Sequence, residues 1–302
     1  MTARINLGPL FFHWPSDQMV DFYARIADEA DIDTVYLGEV ICSKRIALFE
    51  KQYDAMRERL LRGGKKVVFS TLAEVAVTLD RKHVKAICER ENDEIEANDA
   101  SALTLLKGRP FRIGQLFNCY NIATLDYLVK LGATHVTVPV EMRAAGIAAL
   151  AKRANEHGIG TEVQVFGRAP LALSIRCYAA RARDRQKDNC QFVCNEEPDG
   201  LDLHTLDNGR FLTINGIQTL SRHFLSLAGE VTQLMEMGVT HLRLSPHTGD
   251  MVKVAAAFRR LVDGHVTADE AQAALNEAQP DAVFSNGFFH KMPGRERVGT
   301  LA

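Results

Sequence analysis

The chain has 302 residues, 46% hydrophobic and 25% charged, with 21 glycines and 9 prolines, an ordinary globular composition with enough length for one large core. Thirty-six Lys and Arg stand against 38 Asp and Glu, a formal charge of -2, so no excess of cations is present to neutralise a phosphate backbone and nucleic acid is not the expected partner. No apolar stretch approaches the roughly 20 residues of a membrane helix, and Asn6, Gly8 and Pro9 interrupt the place of a signal peptide's apolar run. The expectation is a soluble, cytoplasmic protein with no integral membrane segment.

Short β-branched or apolar runs predict eight strands, at 5–10, 34–37, 66–71, 94–97, 111–116, 135–138, 162–166 and 241–244. Between them Met19, Phe22, Tyr23, Ile26, Ala27 and Ala30 keep helical spacing behind Ser16, read as an N-cap. Phe49, Tyr53, Met56 and Leu60 mark a second helix that stops at Gly63-Gly64. Residues 121–131 and 142–156 continue the alternation, ending at Gly132 and Gly158. One phrase occurs twice, Gly132-Ala-Thr-His-Val-Thr-Val-Pro139 and Gly238-Val-Thr-His-Leu-Arg-Leu-Ser-Pro246: a helix-stopping glycine, an alternating strand and a proline. Strand and helix alternating about eight times predict an α/β fold, a TIM-like (β/α) barrel, with an open doubly wound sheet as the alternative. The dinucleotide and nucleoside-triphosphate fingerprints that would support the open sheet are absent.

The prediction is one barrel-like domain over residues 1–302. Residues 167–209 form a long cysteine-bearing loop insertion after strand 7, and residues 264–302 a C-terminal helix and loosely held tail. Residues 211–214 read as a short strand or hairpin. Phe224, Leu227, Ala228, Val231, Leu234 and Met235 read as one face of a helix, and Thr267-Ala-Asp-Glu270 as a capping box.

Six cysteines are too few for a disulfide scaffold in a chain of this length. Barrel chemistry sits on loops leaving the C-terminal strand ends. Cys42 follows the second strand there, and Cys177, Cys190 and Cys194 follow the seventh; Cys88, with Val84 and Ile87, reads as core. The long loop can offer three thiolates to one centre, with Cys42 arriving from the other strand end. Thiolates select zinc or iron–sulfur centres over hard cations. Arg176, Arg181, Arg183, Arg185 and Lys187 crowd the same loop, where they offset the negative charge of a tetrathiolate site. Structural zinc usually shows paired knuckles or added histidines, whereas only one close pair is present here; the spacing also departs from both ferredoxin patterns. Spacing alone therefore tilts towards iron–sulfur over zinc, alongside the reading that the cysteines never meet.

Gly8-Pro-Leu, Tyr36-Leu-Gly-Glu-Val-Ile-Cys-Ser-Lys-Arg45, Asn118-Cys-Tyr-Asn121, Arg176-Cys-Tyr-Ala-Ala-Arg181 with Cys190 and Cys194, and Asn215-Gly-Ile-Gln218 resemble the collagenase-like peptidase family (U32), in particular its members in ubiquinone biosynthesis. The resemblance spreads along nearly the whole chain, and its most specific part is Cys-Ser-Lys-Arg combined with Arg-Cys-x₁₂-Cys-x₃-Cys. It implies a barrel-like fold and a 4Fe-4S cluster on Cys42, Cys177, Cys190 and Cys194. It also implies a heterodimeric partnership with the sister protein UbiU in oxygen-independent hydroxylation of the ubiquinone precursor ring. Asn286-Gly-Phe-Phe289 departs from the family's glycine followed by Tyr-Trp, which puts the tail's role in question. Peptidase is a family label: H-E-x-x-H and G-x-S-x-G are absent, and Cys119 lacks a sequence-local His and Asn pairing, so proteolysis is the alternative rather than the expectation. A zinc-stapled scaffold is a third reading. Relatives that modify RNA are set against this chain's slightly acidic balance.

Of the remaining candidates, Cys119 reads as a substrate-facing group or a packed thiol. Thr71, Asp99 and Glu141 read as donors and acids at strand ends or as helix-terminal residues. His13 and Trp14 read as an aromatic platform for a ring or as rim packing. His135 and His241, inside the repeated phrase, read as structural. Asn215 and Gln218 read as ligand contacts or as closing an Asn-Gly turn.

Overall fold

Eight short parallel strands close into a barrel in the computed structural model, which describes residues 2–299. They are β1 (Arg4–Leu7), β2 (Thr34–Leu37), β3 (Lys66–Ser70), β4 (Glu94–Ala97), β5 (Phe111–Ile113), β6 (Ala133–Thr137), β7 (Gly160–Leu173) and, after β8 (Leu201–His204), β9 (Arg210–Asn215) and β10 (Gln218–Ser226), the closing β11 (His241–Leu244). Each of β1 to β6 pairs parallel with its successor, and β11 pairs parallel with both β7 and β1. The TIM-like barrel expected from the alternation is the observed fold, with all eight predicted strands in it.

The connecting helices are α1 (Ser16–Glu29), α2 (Ser43–Arg62), α3 (Thr78–Cys88), α4 (Ser101–Leu105), α5 (Ile122–Lys130) and α6 (Ala144–Glu156). After the short α7 (Tyr178–Arg181) come α8 (Val231–Glu236), α9 (Met251–Val262) and α10 (Ala268–Ala278). Their inward stripes follow helical spacing: Met19, Tyr23, Ile26 and Ala27 are buried on α1, and Met251, Val254, Ala255, Phe258 and Val262 on α9. The capping box opens α10, where the Thr267 hydroxyl accepts from the Glu270 N–H and the Glu270 carboxylate from the Thr267 N–H. Among the described residues no helix is long and apolar enough to cross a membrane.

The barrel is filled by charge rather than by the usual aliphatic layers. One Arg243 terminal nitrogen donates to Glu96 at 2.5 Å and to Glu162 and Thr137 at 3.1 Å. Glu162 also accepts from the Tyr36 hydroxyl at 2.7 Å and the Asn6 amide at 3.0 Å, and Glu96 from Ser70 at 2.7 Å. Arg243 and His135 hold the Glu162 carboxyl well below its usual range against the opposing effect of burial.

Past the barrel mouth the long β7 continues into a second, antiparallel layer in which it pairs with β10, β10 with β9, and β9 with β8. Gly167, at φ +104°, marks the exit, and a Cβ there would stand 2.6 Å from the Ser245 side chain. Residues 167–209 thus include strand at 167–173 and 201–204, with α7 and two single-turn segments between them and a turn at 205–209. The helix expected through Phe224 and Leu227 is also corrected: Phe224 lies in β10, and helix starts at Val231. Two strand partners override a run whose apolar residues happen to fall at helical intervals. The C-terminal segment is held rather than loose. Strand β12 (Phe284–Ser285) pairs with β10, the Asn286 amide donates to Glu230 at 2.7 Å, and Phe289 is buried; residues 300–302 of the predicted tail lie outside the described residues.

Candidate metal centre

Cys42 ends the loop after β2 and occupies the N-cap position of α2, its N–H donating to the Glu39 carboxylate at 3.0 Å. On the strap between β7 and β8, Cys177 caps α7, its sulfur accepting from the Ala180 N–H at 3.4 Å. Cys190 and Cys194 follow on two single-turn segments of the same strap. The strap lies across the mouth because neighbouring loops grip it. Lys44 donates to the carbonyls of Lys187 at 2.7 Å and Asp188 at 2.9 Å, Trp14 to that of Pro198 at 2.7 Å, and the Asn215 amide to those of Cys194 at 2.8 Å and Glu197 at 3.1 Å.

The Cys42 segment and the strap meet directly: Lys44, two residues past Cys42, donates to strap carbonyls three and two residues before Cys190, and Arg45 donates to Asn215, whose amide holds the Cys194 carbonyl. Burial pushes the thiols of Cys42, Cys177 and Cys194 up, opposed in each by the cation of Arg45. His13, whose Nδ1 lies 3.3 Å from the Cys194 sulfur, is pushed down to about 3 by burial and then by Arg45, and is a neutral ring at neutral pH. Among the described residues no three His, Cys, Asp or Glu side chains are arranged to hold a single metal ion. The donor chemistry fits a soft, thiolate-ligated group: all six cysteines are free, and the nearby Glu39 already accepts the Ile41 and Cys42 N–H groups.

Beside Cys177 opens a groove of about 900 Å³, walled by Val77, Leu79 and Ile175 and rimmed by Lys44, Arg176 and Arg181. A second depression of about 870 Å³, bordered by Asp28, Arg59 and Lys65, lies at the opposite end of the barrel, away from the strand ends where barrel chemistry sits.

The other sequence candidates separate clearly. Cys88 is core, and Cys119 is fully buried; burial pushes both thiols up to about 11. Trp14 is 1% exposed and packs edge-on to Phe22, so it is rim packing and offers no open face to a ring. Asp99 accepts from the Ser101 N–H at 2.8 Å beside α4, Thr71 accepts from the Asn98 N–H at 3.0 Å, and Glu141 accepts from the Tyr120 hydroxyl. His135 and His241 pack edge to face with ring centroids 4.4 Å apart. Gln218 donates to the Phe11 carbonyl at 2.7 Å, and Asn215 accepts from Arg45 at 2.8 Å. Sequence reasoning missed Arg45 as a site residue, although it stands three positions after Cys42, a spacing that returns to the same helix face.

A structural comparison finds the spore cortex-lytic enzyme SleL of Bacillus cereus at TM-score 0.42 and 8% identity, with 95% of this chain and 76% of that chain covered. Xylanase 10B of Thermotoga maritima follows at TM-score 0.37 and 7% identity, covering 81% and 83%. Neither likeness bears on activity. The family model of peptidase family U32 matches residues 19–299, nearly the whole sequence, and the chain belongs to that family.

Proposed function

We propose that this chain is a 4Fe-4S protein of the UbiV type, a component that works with UbiU in the oxygen-independent hydroxylation of the ubiquinone precursor ring. The observation that carries this reading is that the helix start behind Cys42 meets the strap bearing Cys177, Cys190 and Cys194: Lys44 donates to the Lys187 and Asp188 carbonyls, and Arg45 donates to Asn215, whose amide holds the Cys194 carbonyl. Those four residues would hold the cluster, which when bound supplies one-electron chemistry. The chain's own residues supply its setting: Lys44, Trp14 and Asn215 fix the strap, Cys177 and Cys190 are buried, and Cys42 and Cys194 are partly so. The groove beside Cys177 gives a substrate its approach, and Val77, Leu79 and Ile175 suit an apolar ring-bearing molecule. No side chain is assigned as catalytic. The Cys119 thiol, the nucleophile a proteolytic reading would call on, is fully buried.

Anoxic purification followed by iron and sulfide analysis, with absorption and electron paramagnetic resonance spectra, tests the proposal. The chromophore is expected in the parent protein, lost in the Cys→Ala variants at 42, 177, 190 and 194, and kept in those at 88 and 119. Zinc without iron or acid-labile sulfide, or a chromophore that survives loss of the four and disappears with Cys88 or Cys119, overturns it.

A further inference from the structure

Arg45 is 1% exposed, in the first turn of α2, where the helix dipole opposes a cation. Its guanidinium donates to the Phe11 carbonyl at 3.1 Å and to Asn215 Oδ1 at 2.8 Å, and its Nε has no partner. The one carboxylate nearby, Glu39, stands 3.7 Å away with the contacted oxygen already accepting two backbone N–H groups. A buried guanidinium so loosely paired is costly unless another negative charge shares its surroundings. Asn215 ties it to Cys194, and Cys42 caps its own helix three residues before it, so the sulfurs of these two residues are the groups left to supply that charge. The fold also builds a cradle for this side chain. Asn215 joins it to the strap through the Cys194 carbonyl, and Gly216, at φ +67°, leaves the room its terminal nitrogen occupies, since a Cβ there would stand only 2.4 Å away.

We propose that Arg45 is a positioning residue that sets the reduction potential of the cluster: a fixed cation held by Phe11, Asn215 and Gly216 beside Cys42 and Cys194. This rests on the reading that the four cysteines carry a 4Fe-4S group. Four thiolates leave such a group with net negative charge, which grows by one when an electron from the electrode enters, so an adjacent fixed cation favours the reduced form and raises the midpoint potential. Arg45 keeps its charge across the working pH range, so its contribution is constant with pH.

The test is spectroelectrochemical titration of the anoxically purified full chain, with iron and sulfide measured on each sample. Arg45→Met is expected to retain iron and to shift the midpoint to more negative potential, while Arg45→Lys, which keeps the charge, stays near the parent value. Arg45→Gln, neutral but still able to donate to Asn215 Oδ1, is expected to shift the midpoint the same way; it decides the matter where Arg45→Met fails to fold or to load iron. A loaded Arg45→Met, or failing that a loaded Arg45→Gln, with the parent's midpoint overturns this role and leaves the cluster reading standing. A parent protein without iron and sulfide overturns both.

Discussion

Arg243 shows how a charged side chain is tolerated at the centre of a barrel. At 2% exposure it touches two carboxylates that are themselves fully buried, Glu96 and Glu162. Its guanidinium also lies over the Tyr36 ring, 4.1 Å from the centroid. Removing one member of such a group is costly because its partners stay behind as uncompensated buried charges. Arg243→Met is therefore expected to destabilise the protein by about 3–5 kcal/mol in urea unfolding. Combining it with Glu96→Gln and Glu162→Gln should recover much of the loss, since the stranded charges are then gone. A single variant within about 0.5 kcal/mol of the parent, the range of ordinary surface changes, would show that the ion cluster does not hold the barrel together.

At the level of elements, the repeated Gly-x-Thr-His phrase becomes a pair of strands flanking the start of β7. Strands β6 and β11 both pair parallel with β7, and the two histidines meet across it at Gly160. A Cβ on Gly160 would stand 2.3 Å from His135 Nδ1 and 3.2 Å from the His241 ring, so this glycine makes the space the edge-to-face rings fill. Gly160→Ala is expected to cost about 1–3 kcal/mol as an overpacked core position, and pairing it with His135→Ala should relieve part of that cost. Equal destabilisation in both backgrounds would disprove the steric account. The eight barrel strands are legible in the sequence because each carries a compact apolar or β-branched run closed by a glycine, a proline or a cap. Strand β9 is legible at 211–214, but β8 and β10 are not, because Gln218–Ser226 mixes polar and apolar residues and takes its form from its partners, among them the distant β7. The cysteines are legible as loop residues, since strand ends locate them. The pairing of Arg45 with Asn215 is not, because it is a contact between residues 170 positions apart.

For the molecule as a whole, a polar barrel interior makes stability depend on pH. His241 is pushed down to about 3 by burial and by neighbouring His135, and His135 and the fully buried His247 are lowered chiefly by burial. In the unfolded chain such rings take up a proton near the ordinary value of 6.5, whereas in the fold all three stay neutral below it, His241 down to about 3. Below 6.5 the unfolded state therefore holds more protons, so stability rises with pH and is lost as pH falls, for His241 between 6.5 and about 3 by up to about 1.4 kcal/mol per pH unit. Carboxylates such as Asp126, lowered to about 2 by Arg153 and His157, act in the same direction but only below their own ordinary range. Urea midpoints measured from pH 7.5 to 5.5 isolate the histidines. The parent should weaken steadily over that interval, and His241→Asn, lacking one such ring, should weaken less steeply. Parallel curves for the two proteins would mean that His241 takes up its proton inside the fold as readily as in water, and that the barrel floor is open to solvent.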